Sequence, residues 1–135
     1  MRQHWLRWMG IGGASAVVGF VLVSGLSVLA QGAATEVEII RDPTSNRFVF
    51  KEKNVTIKKG QEIKWVIKAE GRQKHKLMPV DPKKDAGFKE TIEFGLQFPG
   101  MPESAMQKFD EVTTAALNYR CAFHDSMEGT VTVDK

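Results

Sequence analysis

The 135-residue sequence has a single cysteine, Cys121, and little excess charge of either sign once its first residues are set aside. One cysteine excludes a disulfide within the chain, so the fold depends on its hydrophobic core. Residues 1–34 carry Arg2 and Arg7 and no acidic residue, which leaves 17 basic against 16 acidic residues in the remainder. Domains that bind nucleic acid usually carry a large basic excess, so this near-neutral balance argues against that class.

Charged residues are also missing from a run of 22 residues, Met9 to Ala30, which follows the two arginines. A basic start followed by an apolar run is typical of an export signal, and this run is long enough to cross a bilayer as a helix. We therefore expect residues 1–34 to form a hydrophobic helix that is either a cleaved signal peptide or a membrane anchor through residues 9–30. Either role places the second predicted domain, residues 35–135, outside the cytoplasm, in the periplasm or on the outer face of the cytoplasmic membrane.

Helical periodicity is scarce in this second domain, and strand periodicity is common. Apolar residues alternate with polar ones, as in Ile63, Trp65 and Ile67, and similar alternation occurs within residues 36–39, 48–50, 55–57, 92–98, 117–123 and 131–133. Short strands with one buried face are the expected result, and several of them predict an all-β sandwich or barrel.

Two segments depart from the strand pattern. The polar segment 81–89 contains Pro82 and Gly87 and is predicted to be a loop. The segment Glu103–Phe109 follows Pro102, and proline is tolerated at the start of a helix, so about two helical turns are predicted there.

The candidate metal ligands lie near the C-terminus, where Cys121, His124 and Met127 are spaced three residues apart. A thiolate, an imidazole and a thioether on one short loop suit copper better than a harder cation. His75 is the only other histidine of the predicted domain. Two histidines and one cysteine in a plane, with a weak axial methionine, make the ligand set of a blue-copper electron-transfer site.

Each of these residues also has a simpler interpretation. Cys121 could be a small buried core residue, or a nucleophile with His124 as its base, although no oxyanion motif accompanies it. Met127 could fill a gap in the core, and Met78 could compete for the axial position because it follows His75 by three residues.

A basic cluster surrounds the proposed ligand His75, and it is either a solvated rim or a surface that steers an acidic redox partner. Its members are Arg72, Lys74, Lys76, Lys83 and Lys84.

Taken together, the residues resemble the small cupredoxins of the plastocyanin, pseudoazurin and amicyanin kind over roughly residues 36–135. The residues and motifs that carry the resemblance are Phe50, Val55-Thr56-Ile57-Lys58-Lys59-Gly60, Ile63-Lys64-Trp65, His75, Tyr119-Arg120-Cys121, His124, Met127, Gly129 and Val131-Thr132-Val133. The resemblance implies a Greek-key β-sandwich that binds one type 1 copper ion. It also implies that His75, Cys121 and His124 are the equatorial ligands and Met127 the axial one.

Two positions differ from the usual pattern of this family. Lys76 stands directly after the first histidine, where the family usually places an asparagine that helps tie the two ligand-bearing segments together. Phe123 stands before the second histidine, where many relatives carry a proline. Resemblance also gives His124 a solvent-facing edge, so Phe123 and the segment 98–101 are expected to surround the electron port.

The predicted function is that of an exported one-electron carrier, not an enzyme, which cycles Cu(II) and Cu(I) between redox partners. The partner is expected to be a cytochrome, an oxidase or a dehydrogenase, and the protein itself a monomer. The alternative is an extracytoplasmic copper chaperone or copper-buffering protein. Met78, Met101 and Met106 keep that alternative open, because thioethers bind Cu(I).

Overall fold

The computed structural model describes residues 32–135, so the predicted leader helix lies outside the described residues. Within this range the chain forms ten strands and no helix. The described residues therefore contain no helix that could cross a membrane. The strands are β1 (Thr35–Arg41), β2 (Phe48–Phe50), β3 (Asn54–Lys58), β4 (Glu62–Ile67), β5 (Gln73–His75), β6 (Leu77–Pro79), β7 (Phe94–Leu96), β8 (Ser104–Lys108), β9 (Leu117–Cys121) and β10 (His124–Asp134).

Two four-stranded sheets face each other, with the strand orders β2-β1-β4-β8 and β3-β10-β9-β6, and β5 pairs with β7 in a small third sheet. The pairs β1–β4 and β3–β10 are parallel, and the remaining pairs are antiparallel. Buried and exposed residues alternate along β3, β4 and β9, as the sequence predicted for strands with one face in the core. The predicted all-β sandwich is therefore confirmed.

Large aromatic side chains join the two sheets in the core. The indole Nε1 of Trp65 on β4 donates a hydrogen bond of 3.2 Å to the hydroxyl of Tyr119 on β9. The ring of Phe88 stacks on Tyr119 with centroids 4.7 Å apart. Burial raises the pKa of Tyr119 to about 12. Each such side chain contributes about 2 kcal/mol by leaving water, so this cluster is a main source of stability.

One glycine makes room for the buried tyrosine. A Cβ atom at Gly129 on β10 would lie 2.8 Å from the Tyr119 ring and 3.0 Å from the carbonyl oxygen of Lys53. Those separations are shorter than carbon atoms tolerate, so only glycine lets β10 pass this close to Tyr119.

The segment 81–89 is a loop, as predicted, but it is firmly attached to the sandwich. The buried carboxylate of Asp85 accepts hydrogen bonds from the backbone nitrogens of Asp81 at 2.9 Å and Asn118 at 2.8 Å, and from the Asn118 side-chain amide at 3.2 Å. Burial alone would raise the pKa of Asp85, but the hydrogen bonds from Asn118 and Asp81 outweigh it and the pKa is lowered. The loop is thereby tied to the start of β9.

The helix predicted over Glu103–Phe109 is wrong. Ser104–Lys108 forms β8, which pairs antiparallel with β4 so that Ala105 lies opposite Trp65. Ala105 is buried and Met106 is exposed, which is strand alternation. A segment this short forms no stable helix by itself, whereas the free edge of β4 supplies a hydrogen-bond partner for its backbone.

The strand predicted within residues 92–98 is shorter than the alternation suggested. Only Phe94–Leu96 pairs, and Ile92 is 66% exposed before it. Gln97 has a φ of 64°, a left-handed conformation that ends the strand.

Candidate metal centre

Three of the four predicted ligands converge at one end of the sandwich. His75 ends β5, Cys121 ends β9 and His124 begins β10. The Sγ atom of Cys121 lies 3.8 Å from Nδ1 of His75 and 3.5 Å from Nδ1 of His124. The donor atoms of all three residues lie within 4.8 Å of one another.

The two sulfur–nitrogen distances fit a single metal ion bound by all three residues. A metal about 2.0 Å from an imidazole nitrogen and about 2.3 Å from a thiolate, with about 120° between the bonds, requires a nitrogen–sulfur separation of about 3.7 Å. The two separations to Cys121 Sγ, 3.8 and 3.5 Å, lie on either side of this value. One thiolate and two imidazoles are soft and borderline ligands, and copper prefers such a set.

A tight hairpin brings Cys121 and His124 together. The two residues pair across β9 and β10, and only Ala122 and Phe123 lie between them. The register then shifts between His124 and Glu128, which is the irregularity of a bulge. Bulges redirect side chains at the end of a sheet. Within this irregular stretch the hydroxyl of Ser126 donates to the carbonyl oxygen of Phe48 at 2.8 Å.

A backbone hydrogen bond joins the two ligand-bearing segments. The amide of Ala122, directly after Cys121, donates to the carbonyl oxygen of Lys76, directly after His75, at 2.8 Å. The side chain of Lys76 points elsewhere, to Glu90 at 2.6 Å. The segments are therefore linked even though a lysine stands where the family that the sequence resembles usually has an asparagine.

The imidazole of His75 is fully buried. The ring of Phe48 meets it edge-on with centroids 5.5 Å apart, and Phe94 lies 5.6 Å away. Burial, with a smaller effect of the nearby His124, lowers the pKa of His75 to about 3. The ring is therefore neutral at physiological pH, which is the form that binds a metal.

The imidazole of His124 lies nearer the surface. Its ring packs against Phe48 with centroids 4.9 Å apart, and the guanidinium of Arg41 lies over the same phenyl ring, 4.3 Å from its centroid. Partial burial, and then the charge of Arg41, lower the pKa of His124. The neighbouring Phe123 is 46% exposed.

The methionines occupy different places. Met127 is fully buried and packs in the core, three residues after His124. Met78 is half-buried on β6, Met106 is exposed on β8, and the sulfur of Met101 lies close to Gly95. The predicted axial ligand is thus the member of this set that is wholly inside the protein.

Part of the basic cluster predicted beside His75 is balanced by acids. Lys74 pairs with Glu93 at 2.5 Å, and Lys76 pairs with Glu90. Lys74 also lies 5.0 Å from the ring of Phe123, and Arg72 lies over Phe98 at 4.4 Å. The rim of the site is therefore a set of ion pairs and cation–π contacts, and its positive field is weaker than the sequence suggested.

Two residues of the site were missed in the sequence. Phe48 contacts both imidazoles, and Gln73 is 3% exposed with its Oε1 atom 2.9 Å from Nε2 of His75. Strand alternation could have indicated Gln73, because residues 73 and 75 share one face of a strand. For Phe48 no local signal exists, since the pairing of β1 with β2 and the hydrogen bond from Ser126 place it at the site.

Comparison with known proteins agrees with this geometry. The family described as copper binding proteins, plastocyanin/azurin family, matches residues 37–134. A search of the curated proteins finds no match to this sequence. The amicyanin from Paracoccus versutus (Thiobacillus versutus) is similar in structure, with a TM-score of 0.53, 20% sequence identity, and coverage of 76% of this chain and 83% of amicyanin.

Two further structures are similar in fold. Native pseudoazurin from Hyphomicrobium denitrificans gives a TM-score of 0.53 at 18% identity, covering 76% of this chain and 77% of that protein. A purple cupredoxin from Nitrosopumilus maritimus gives 0.50 at 20% identity, covering 74% of this chain and 99% of that protein. The fold is thus that of a cupredoxin-like sandwich, which confirms the resemblance found in the sequence.

The family match and the cluster of His75, Cys121 and His124 together identify the cofactor as one type 1 copper ion. The family match covers most of the chain and nearly all of the sandwich. The chain therefore belongs to the plastocyanin/azurin family of copper-binding proteins.

Proposed function

We propose that the protein is a one-electron carrier whose metal ligands are His75, Cys121, His124 and Met127. The observation that supports it most is a nearly buried thiolate between two imidazoles that present Nδ1 to it at 3.5 and 3.8 Å. In this proposal His75, Cys121 and His124 would hold the copper ion together, and the buried Met127 would supply a fourth, weaker thioether ligand.

Bound copper supplies a one-electron exchange between Cu(II) and Cu(I). The residues of this chain supply a frame that holds the donors in one arrangement in both states. Cys121 is fixed by its strand, and the hairpin is held by the hydrogen bonds from Ala122 to Lys76 and from Ser126 to Phe48. Phe48 and Phe94 pack on His75 and keep water from it. A frame that moves little lowers the energy of reorganisation and favours fast transfer.

We also propose where the protein works and with what. The basic and apolar leader supports export to the periplasm or to the outer face of the cytoplasmic membrane. The exposed Phe123 beside His124 supports docking of a redox protein there, a cytochrome, oxidase or dehydrogenase. Such a carrier makes and breaks no covalent bond of a substrate, so it is not an enzyme, and we expect it to act as a monomer.

Copper delivery is less well supported than electron transfer. A protein that hands Cu(I) to an acceptor needs ligands that the acceptor's own thiolates can reach. Cys121 is 3% exposed and His75 is fully buried, so an incoming ligand reaches His124 alone without unfolding the site.

The test is to cycle the copper-loaded protein electrochemically in the presence of a strong Cu(I) chelator. A carrier gives a reversible one-electron wave whose amplitude persists over many cycles, because the metal stays bound. Loss of the wave and transfer of copper to the chelator on the first reduction would contradict electron transfer and support delivery.

A further inference from the structure

The buried amide of Gln73 connects a turn of the backbone to the His75 imidazole. Its Oε1 atom lies 2.9 Å from Nε2 of His75, on the side of the ring away from Cys121. Its Nε2 atom lies 2.7 Å from the carbonyl oxygen of Ala69, in the turn between β4 and β5. A polar group that is 3% exposed needs such partners, because water cannot satisfy it.

The contact with Ala69 fixes which way the amide faces. A carbonyl oxygen only accepts hydrogen bonds, so the amide atom 2.7 Å from it has to be the nitrogen. The other amide atom, which faces His75, is then the oxygen, and it too only accepts. Nε2 of His75 therefore carries the proton and Nδ1 carries the free electron pair.

The backbone around Gln73 leaves this amide little freedom. Gln73 pairs with Leu96, and Lys74 pairs with Gly95, in the small sheet of β5 and β7. A Cβ atom at Gly95 would lie 2.6 Å from the carbonyl oxygen of Gln73, so β7 packs as closely as glycine allows. Gly71 completes the turn with a φ of 93°, which favours glycine.

We propose that Gln73 is a positioning residue that holds His75 as the Nε2–H tautomer and aims its Nδ1 electron pair at the metal. This inference rests on the proposed role of His75 as a ligand. Hydrogen-bond partners behind a ligating histidine orient the ring and raise its basicity, and their loss commonly weakens metal binding 10- to 100-fold. In this chain the partner is a neutral side-chain amide two residues before the ligand.

The first test uses the metal-free protein and is independent of copper. In the wild type, ¹⁵N NMR of His75 should show the Nε2–H tautomer, with its proton slow to exchange. Gln73→Met keeps the length of the side chain and removes the oxygen, so the Nδ1–H tautomer should gain population. Gln73→Glu keeps an oxygen acceptor in either protonation state and should keep the wild-type tautomer.

The second test uses the copper-loaded protein. Gln73→Met should bind Cu(II) about 10- to 100-fold more weakly in a chelator competition. Its reduction potential should rise, because a less basic imidazole stabilises Cu(II) less. Gln73→Glu should leave the potential at or below that of the wild type. Gln107→Leu is the matched control, because Gln107 is half-buried and hydrogen-bonds to Gly87, and it should change neither the tautomer nor the potential.

The outcomes separate this inference from the proposed function. A wild-type His75 found as the Nδ1–H tautomer, or a Gln73→Met variant with wild-type tautomer, affinity and potential, would overturn the role of Gln73 while leaving the copper site intact. A protein that shows the Nε2–H tautomer but never holds copper in a one-electron cycle would instead contradict the proposed function. If Gln73→Met does not fold, the wild-type tautomer and the Gln73→Glu potential still decide.

Discussion

His75 and His124 both place Nδ1 within 4 Å of Cys121 Sγ, but the surroundings of the two imidazoles differ. His75 is fully buried, touches Phe48 and Phe94, and its second nitrogen is held by Gln73. His124 lies in a hairpin next to an exposed phenylalanine, and within residues 32–135 the structure gives its Nε2 atom no hydrogen-bond partner.

The site needs one ligand that is held rigidly and one that lies near the surface, and the two imidazoles meet these needs separately. One imidazole is built into the sandwich and secures the geometry. The other completes the set of donors from the surface side. Phe48 is the side chain common to both, because it packs against each ring.

The largest expected effect comes from deleting each imidazole in turn. His75→Gly and His124→Gly should both lose the intense thiolate-to-copper absorption, because each removes one of three in-plane donors. Added imidazole should restore the band in His124→Gly, since the vacated space is open at the surface. It should not restore it in His75→Gly, whose space is closed by Phe48 and Phe94.

If added imidazole restored the absorption band equally in both variants, the contrast between a closed His75 position and an accessible His124 position would be contradicted. The control is circular dichroism of both metal-free variants, which has to show the folded sandwich before the spectra are compared.

A second effect is the pH dependence of the metal-free protein. Folded His75 takes a proton only near pH 3, whereas a histidine in the unfolded chain takes one near pH 6.5. Between these values the unfolded state binds more protons, so the free energy of unfolding falls as the pH falls, by at most about 1.4 kcal/mol per pH unit. Well above pH 6.5 the ring contributes no pH dependence, because it is then neutral in both states.

Denaturant unfolding between pH 7 and pH 5 measures this slope. His75→Leu removes the titrating ring and should flatten the slope, whereas His124→Leu should flatten it less because that ring is less buried. A wild-type slope in His75→Leu would show that the buried imidazole is not the source.

The smallest effect concerns the charge beside His124. Arg41 stacks on Phe48, which also packs against His124, and its positive charge favours the less positive Cu(I) state. Arg41→Gln should therefore lower the reduction potential slightly, by the equivalent of about 0.5 kcal/mol or less, because exposed charges are well screened.

Arg47→Gln is the control for this change, because Arg47 is an exposed residue of the neighbouring turn. Its potential should match the wild type. Added salt should reduce the difference between Arg41→Gln and the wild type, and a potential that rises in Arg41→Gln would contradict the assignment.

Much of the site was predictable because it is local in the sequence. Cys121 and His124 lie three residues apart in one hairpin, and a single histidine remained to complete the plane, which is His75. The alternation of Ile63, Trp65 and Ile67 likewise predicted β4, since period-two burial needs no knowledge of the partner strand.

The features that could not be predicted from the sequence depend on contacts between residues that lie far apart in the chain. The segment Glu103–Phe109 carries no strong strand signal, and it becomes β8 because β4 offers it a free edge. The buried role of Asp85 depends on Asn118, 33 residues later. The ion pairs of Lys74 and Lys76 depend on a loop whose course no local rule gives.

The most direct test of the whole account is the visible absorption of the purified protein after addition of Cu(II), compared with Cys121→Ser. We expect an intense thiolate-to-copper charge-transfer band in the wild type and none in Cys121→Ser, because the thiolate is the group that gives rise to it. A folded wild-type protein without the band, or a Cys121→Ser variant that keeps it, would contradict the assignment of His75, Cys121 and His124 as the copper ligands.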